Sequence, residues 1–304
     1  MNATATEQLE NARAFLNELS ADPPKVPYEP ELLPMLFAAT REDSTASIND
    51  IARLIERSQN LASRLLNIAN SAYYVLEFKV SSLSRAVSVL GLKEVRSMVL
   101  MVGMVSAIRG IKLPPGFDAR GLWLHQLKTA FLARILVDTL TKEARPKRVS
   151  ADNTPTMAPD EAYAAGLLHD LGKIFLASTR PRDWTNIIEL QNARRCGFAE
   201  AEMDYWGMDH GIVGSRVLHT WKIPLILTDA IAWHHAPKLA PQGSIDASLL
   251  AAADTLAGQG YTAGKPFEED VLSLLPLDVD TEILRIGLAE RMEKDRSLQL
   301  AAMV

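Results

Sequence analysis

The chain has 304 residues, 48% apolar and 23% charged, the balance of an ordinary globular protein with ample core. Its net charge of −5 argues against a general nucleic-acid binder, which would show a basic surface. A lone cysteine, Cys196, rules out internal disulfides and fits a reducing, cytoplasmic setting.

Residues 1–24 begin "MNATATEQLENARAFLNELS", without a basic start or a long apolar core, so a helical extension is expected there rather than a signal peptide. In "SINDIARLIERSQNLASRLLNIANSAYY" the apolar positions Ile51, Leu54, Ile55, Leu61, Leu65, Leu66, Ile68 and Ala69 recur at threes and fours, the helical period. Two helices joined at Ser58-Gln59-Asn60 superficially resemble a helix-turn-helix offering Ser63, Arg64 and Asn67 to a DNA groove. The alternative is a plain helical hairpin with Asn60 as the cap of its second helix. The acidic chain and the absence of glycine from the turn favour the hairpin, and no DNA binding is expected.

"SSLSRAVSVLGLKEVRSMVL" reads as two helices, with Ser82 as an N-cap and Gly91 as the terminator of the first. "SMVLMVGMVSAI" is long enough for a buried core helix but too short to span a bilayer. "IRGIKLPPGFDARG" then breaks the helical run near residue 110, dividing a lobe over residues 25–110 from another over 111–260. In the latter, "RGLWLHQLKTAFLARILVDTL" puts Leu124, Leu127, Phe131, Ile135 and Leu136 on one broad face. Residues 141–161, with three prolines and no apolar period, are expected to form a loop. "HAPKLAPQGSIDAS" is a shorter connection, and 261–304 is read as a C-terminal helical extension. No segment alternates like a strand. The expected architecture is all-α, a two-lobed helical bundle.

Within the helical run "AGLLHDLGKI" (165–174), His169 and Asp170 interrupt an apolar face. Burying a carboxylate costs several kcal/mol unless a partner compensates it. Company exists elsewhere: His125, His210, the doublet His234-His235 and Asp254 all lie in or beside apolar helical segments. Imidazole and carboxylate donors without thiolates suit a borderline first-row metal, not a zinc finger or a calcium site. The same residues could instead form hydrogen-bonded core pairs. His219, outside the pattern, is read as an ordinary core histidine, and Cys196 carries no signature.

The order H…HD…H…HH…D resembles the HD superfamily of metal-dependent phosphohydrolases, supported by "LWLHQLKTAFLA", "GLLHDLGK", "HGIVGSRVLHTWKIP" and "AIAWHH". "LASRLLNIANSAYY" and "VSSLSRAVSVLGLKEVRSMVL" narrow it: residues 25–260 resemble the HDOD subgroup, the HD-related output domains of bacterial signalling proteins. Gln59-Asn60 stands where Asp-Pro is common in that family.

The resemblance implies that His125, His169, Asp170 and Asp254 ligate a metal, and that His210, His234 and His235 support a second. The cofactor would be one or two divalent transition ions (iron, manganese, nickel or zinc). Lys173 would face a substrate phosphate, making Lys173 and Asp170 the candidate catalytic pair beside the ions. The cyclic di-GMP phosphodiesterases of the HD-GYP subgroup have Gly-Tyr-Pro soon after the double histidine, whereas this chain reads "HHAPKLAPQGS"; the later "GQGYTAG" lacks the proline. Trinuclear members place a glutamate where Gly121 stands. These departures argue against cyclic di-GMP hydrolysis. The resemblance therefore implies a bacterial signalling or regulatory module with a retained metal site. Its partner would be a signalling protein or a small phosphorylated or nucleotide ligand, and neither DNA nor a membrane. The alternative it leaves is a phosphohydrolase acting on a nucleotide or cyclic nucleotide.

Overall fold

The computed structural model describes residues 5–22, 32–40, 44–70, 78–92, 112–144, 156–241 and 244–258, and the single positions 95, 96, 98, 99, 275, 286 and 290. Every regular element among the described residues is helical. The chain divides into two compact units, one comprising Met1–Pro24, Lys112–Thr220 and Pro224–Ala302, the other Lys25–Ile111, Trp221–Ile223 and Met303–Val304. Most of "SMVLMVGMVSAI" and of the extension expected over 261–304 lies outside the described residues.

The smaller unit holds α2 (Leu32–Ala39), α3 (Ile48–Glu56), α4 (Gln59–Ala69) and α5 (Leu83–Leu90). Their starts are written in serine. Ser47 and Asp50 form a reciprocal capping box on α3, and Ser58 and Ser82 accept from the third residue of α4 and α5. Ser58, not Asn60, is thus the cap of the second hairpin helix, because the helix begins two residues earlier than an Asn60 cap would place it. Gly91 ends α5 with φ 82°, a conformation glycine adopts without penalty. Ile51, Ile55, Leu61, Leu65 and Val87 form the core. Asn70 stitches the end of α4 to Val80, accepting its N–H at 2.7 Å and donating to its carbonyl at 2.8 Å.

The larger unit contains α1 (Ala5–Ala21), α6 (Ala119–Ala144), α7 (Pro159–Leu168), α8 (Leu171–Thr179), α9 (Pro181–Arg194), α10 (Phe198–Trp206), α11 (His210–Thr220), α12 (Leu225–Trp233), a 3-10 turn (Pro237–Leu239) and α13 (Ser244–Gly258). The segment expected to be loop over 141–161 is narrower than its composition suggested. α6 runs on to Ala144, and Pro159 starts α7 at the one helical position where a missing N–H costs nothing. α7 buries Asp160 and every residue from Ala162 to Leu168, a helix apolar all round beyond its first turn and packed on α6 and α13. α6 buries Leu127, Phe131, Ile135 and Leu136 as expected, but Leu124 is 36% exposed because the first turns of the helix lie near the surface. Buried Asp246 in the first turn of α13 accepts the N–H groups of Thr156 (3.1 Å) and Met157 (3.2 Å). That fixes the approach to α7 against the helix that carries Asp254.

Small residues bring helix backbones into contact around the histidines. A Cβ on Gly166 would lie 2.5 Å from the Ala130 Cα, and one on Gly172 only 1.9 Å from the His210 carbonyl oxygen and 2.8 Å from the Gly214 nitrogen. α8 and α11 therefore cross at Gly172 and Gly214. Gly172→Ala should force this crossing apart and destabilise the chain by about 1–3 kcal/mol, the usual cost of overpacking. Urea unfolding would measure it; a change within about 0.5 kcal/mol, as at an ordinary surface site, would show that the crossing gives way freely.

Candidate metal centre

The doublet that drew notice in the sequence is not inside a helix. α7 stops at Leu168, His169 follows as its C-cap, and Asp170 (φ −95°, ψ 6°) precedes α8. A continuous helix would send neighbouring side chains about 100° apart; the break instead places His169 Nε2 and Asp170 Oδ1 3.4 Å apart. The other candidates also sit on or beside helix ends or on facing helices: His125 on α6, Lys173 on α8, His210 as first residue of α11, His234 and His235 after α12, and Asp254 on α13.

All of them come together. His125 Nε2 lies 2.8 Å from Asp254 Oδ1 and 3.6 Å from Asp170 Oδ2; His169 Nε2 is 3.4 Å from Asp254 Oδ1. On the other side of Asp170, His210 Nε2 is 2.8 Å from its Oδ1 and 2.8 Å from His235 Nε2. The donor atoms form three overlapping groups, His125/His169/Asp254, His169/Asp170/His234 and His210/His234/His235, each with its ligand atoms within 4.8 Å of one another. Asp170 is the carboxylate between the two sides. His169, Asp170, His210 and His234 are buried, while His125, Asp254 and Lys173 are partly open and His235 is exposed.

The hydrogen bonds behind the ring point the same way. His169 Nδ1 donates to the Gly166 carbonyl (2.8 Å) and His234 Nδ1 to the Ile231 carbonyl (2.6 Å), so each Nε2 faces inwards and carries the lone pair in the neutral ring. At His169, burial is outweighed by Asp170 and Asp254, which raise its pKa, so an ion would displace a proton there. Both Nε2 atoms, and Asp170 Oδ1, are buried without a hydrogen bond. A core pair made for stability would satisfy such atoms; a cation would use all three. The residues present therefore fit a divalent ion.

The charges agree. Burial opposes ionisation of Asp170, but His169, Lys173 and His210 outweigh it and hold its carboxyl well below the usual carboxylate range. At Asp254, burial is likewise overcome by the hydrogen bond with His125 and by the His169 imidazole beside it, and that carboxyl also lies well below its ordinary value. His234 is pushed down to about 3, by burial first and then by His169, so it is neutral and ready to ligate. Lys173 Nζ sits 2.7 Å from Asp170 Oδ2, as an internal counter-ion. It also lies 5.7 Å from the centre of the Phe198 ring.

Glu202 is the residue that the histidine pattern did not include. It is fully buried on α10, and its Oε2 accepts from His210 Nδ1 (2.6 Å) and from the His210 backbone N–H (3.0 Å). A signal existed: Phe198, Ala201, Glu202 and Tyr205 share one helix face, so Glu202 falls on the inward stripe. His219 is corrected in the opposite sense. It is exposed on the last turn of α11, about 200° round the helix from buried Val217. Gly121 lies where an Asp118 cap needs room: its N–H donates to Asp118 Oδ1 at 2.8 Å, and a Cβ would strike that carboxylate.

The all-helical architecture of the described residues is that of an HDOD-type domain. The model of the HDOD domain matches residues 26–237, and the chain belongs to that family. A curated relative, an uncharacterized protein of Treponema pallidum (strain Nichols), is 24% identical over 201 residues, covering 66% of this chain and 36% of its own. The chain thus spans about a third of that relative's length. Among solved structures, a candidate phosphohydrolase from Shewanella amazonensis SB2B superposes with a TM-score of 0.71 at 21% identity, over 94% of this chain and 97% of its own. A protein from Marinobacter aquaeolei VT8 named for signal transduction gives 0.73 at 21% identity, over 99% of this chain and 66% of its own. At such identities the likeness is one of fold. No helix among the described residues is long and apolar enough to cross a membrane.

Proposed function

We propose that this chain is a bacterial signal-transduction protein of the HDOD family, with a working HD-type metal site, that acts through a ligand or a protein partner. The observation that carries the reading is the set of inward, hydrogen-bond-free Nε2 atoms of His169 and His234 beside ionised Asp170. His125, His169, Asp170 and Asp254 would hold one first-row divalent ion (iron, manganese, nickel or zinc), with His210, His234 and His235 serving a second. When bound, such an ion supplies Lewis acidity towards a phosphate group. Lys173 is engaged by Asp170 at 2.7 Å, which favours a binding module, because the cation that would meet a substrate phosphate already has a partner. The partner is a signalling protein or a small phosphorylated or nucleotide ligand; with a net charge of −5, duplex DNA is not one. The reading places the protein in the cytoplasm.

The partly open side of the site, at His125, Asp254, Lys173 and His235, favours a second reading, a metal-dependent phosphohydrolase acting on a nucleotide or cyclic nucleotide. There Asp170 would orient the ions while Lys173, released from it, would meet the phosphate. Elemental analysis of protein purified without chelators, joined to hydrolysis assays on nucleoside phosphates and cyclic dinucleotides, separates the two. One or two bound ions without turnover is expected. Metal-dependent turnover would establish the enzyme, and a chain that takes up no ion on reloading would remove both readings.

A further inference from the structure

Glu202 is an expensive residue to bury, and its surroundings show where its charge goes. One carboxylate oxygen takes two N–H bonds from a single residue, His210, through its backbone (3.0 Å) and its Nδ1 (2.6 Å), while Oε1 has no hydrogen bond. The backbone bond alone would be a helix-start device, since His210 opens α11. The ring bond does something else. It places the Nδ1 proton on the carboxylate side and turns Nε2 towards Asp170 Oδ1 and His235 Nε2, both at 2.8 Å. The ring is held from behind as well as by sequence position, because α10 and α11 are separated only by the tight turn at Gly207 (φ 78°).

From this geometry we infer that Glu202 is the positioning residue of the His210 side of the metal site: it fixes the ring and tautomer of His210 so that Nε2 is offered to a divalent ion. The inference rests on the metal-site reading above. Glu202 contributes no ligand atom itself. A carboxylate behind a ligating imidazole both orients it and raises its basicity, and losing such a partner costs about 10–100-fold in metal affinity. His169 and His234 have only backbone carbonyls behind them. The His210 side is thus the one whose affinity depends on a replaceable side chain.

The test uses cobalt(II) as probe, added to the full chain stripped of metal, with binding followed by visible absorption and calorimetry. Glu202→Ala should weaken binding about 10–100-fold, in one phase only if wild type takes two ions, and Glu202→Gln, whose amide oxygen still accepts from Nδ1, should recover part of it. In a His210→Ala background, Glu202→Ala should change nothing further. A purely structural role would instead lower thermal stability equally in both backgrounds and leave cobalt affinity of the folded protein unchanged; that result overturns the inference. Should Glu202→Ala fail to fold, Glu202→Gln still decides. In it, ¹⁵N spectra of His210 should keep the proton on Nδ1 with altered shifts, whereas a His210 ring insensitive to Gln would count against the assignment. Wild-type protein that binds no cobalt would remove the metal reading itself, a different outcome from wild-type binding that Glu202 variants leave intact.

Discussion

Asp170→Asn should abolish metal uptake. Asp170 lies between the two sides of the site, with Oδ1 2.8 Å from His210 Nε2 and Oδ2 3.6 Å from His125 Nε2, so its carboxylate is within reach of an ion on either side. Asparagine keeps the volume but offers a neutral oxygen and an amide whose N–H groups face imidazole nitrogens. The ionised form is the resident one, because His169, Lys173 and His210 overcome its burial. Metal content by mass spectrometry, after reloading with manganese, iron, nickel and zinc in turn, should fall from one or two ions to none. Retention of wild-type stoichiometry would mean that the ions bind elsewhere. The alanine variant is less informative, since it strips Lys173 and His210 of their counter-charge and so mixes loss of a ligand with loss of a buried pair.

Much of this site was legible before any coordinates. Periodicity and caps located the helices, and Ser82 and Gly91 behave as their types require. The histidines and aspartates converge because each stands on or beside an apolar segment that must pack inwards. What the pattern lacked was the break at His169-Asp170. A run such as "AGLLHDLGKI" satisfies a helical period on both sides of the junction, and nothing local marks a non-helical Asp170; the close approach of Gly172 to the His210 carbonyl, a tertiary contact, sets the direction of α8. Proline content likewise overstated the loop over 141–161, since a proline at N1 starts a helix as readily as it ends one. Glu202 escaped because neighbouring Glu200, on the exposed side of the same helix, looks identical to it in composition. Only the face it occupies tells them apart.

Lys173→Met should make the chain's stability depend on metal. Lys173 Nζ lies 2.7 Å from Asp170 Oδ2, and its side chain is 20% exposed against 1% for the carboxylate. Burial disfavours the ammonium, but Asp170, Asp254 and Glu202 outweigh it and raise its pKa, so the lysine is charged. Without metal it is the lysine counter-ion of Asp170, acting with His169 and His210. Removing one partner of a buried pair costs about 3–5 kcal/mol, reduced here because the neighbouring imidazoles can take up a proton in its place. Methionine keeps the packing against Phe198, so the loss is one of charge. A bound divalent ion replaces that charge, and ligand present at about a thousand times its Kd adds about 4 kcal/mol to the folded state. Thermal unfolding of Lys173→Met should therefore show a deep fall in the chelated protein and a much smaller one in the loaded protein, with cation affinity raised about tenfold as the competing ammonium is gone. Equal destabilisation in both forms would show that Lys173 serves packing alone.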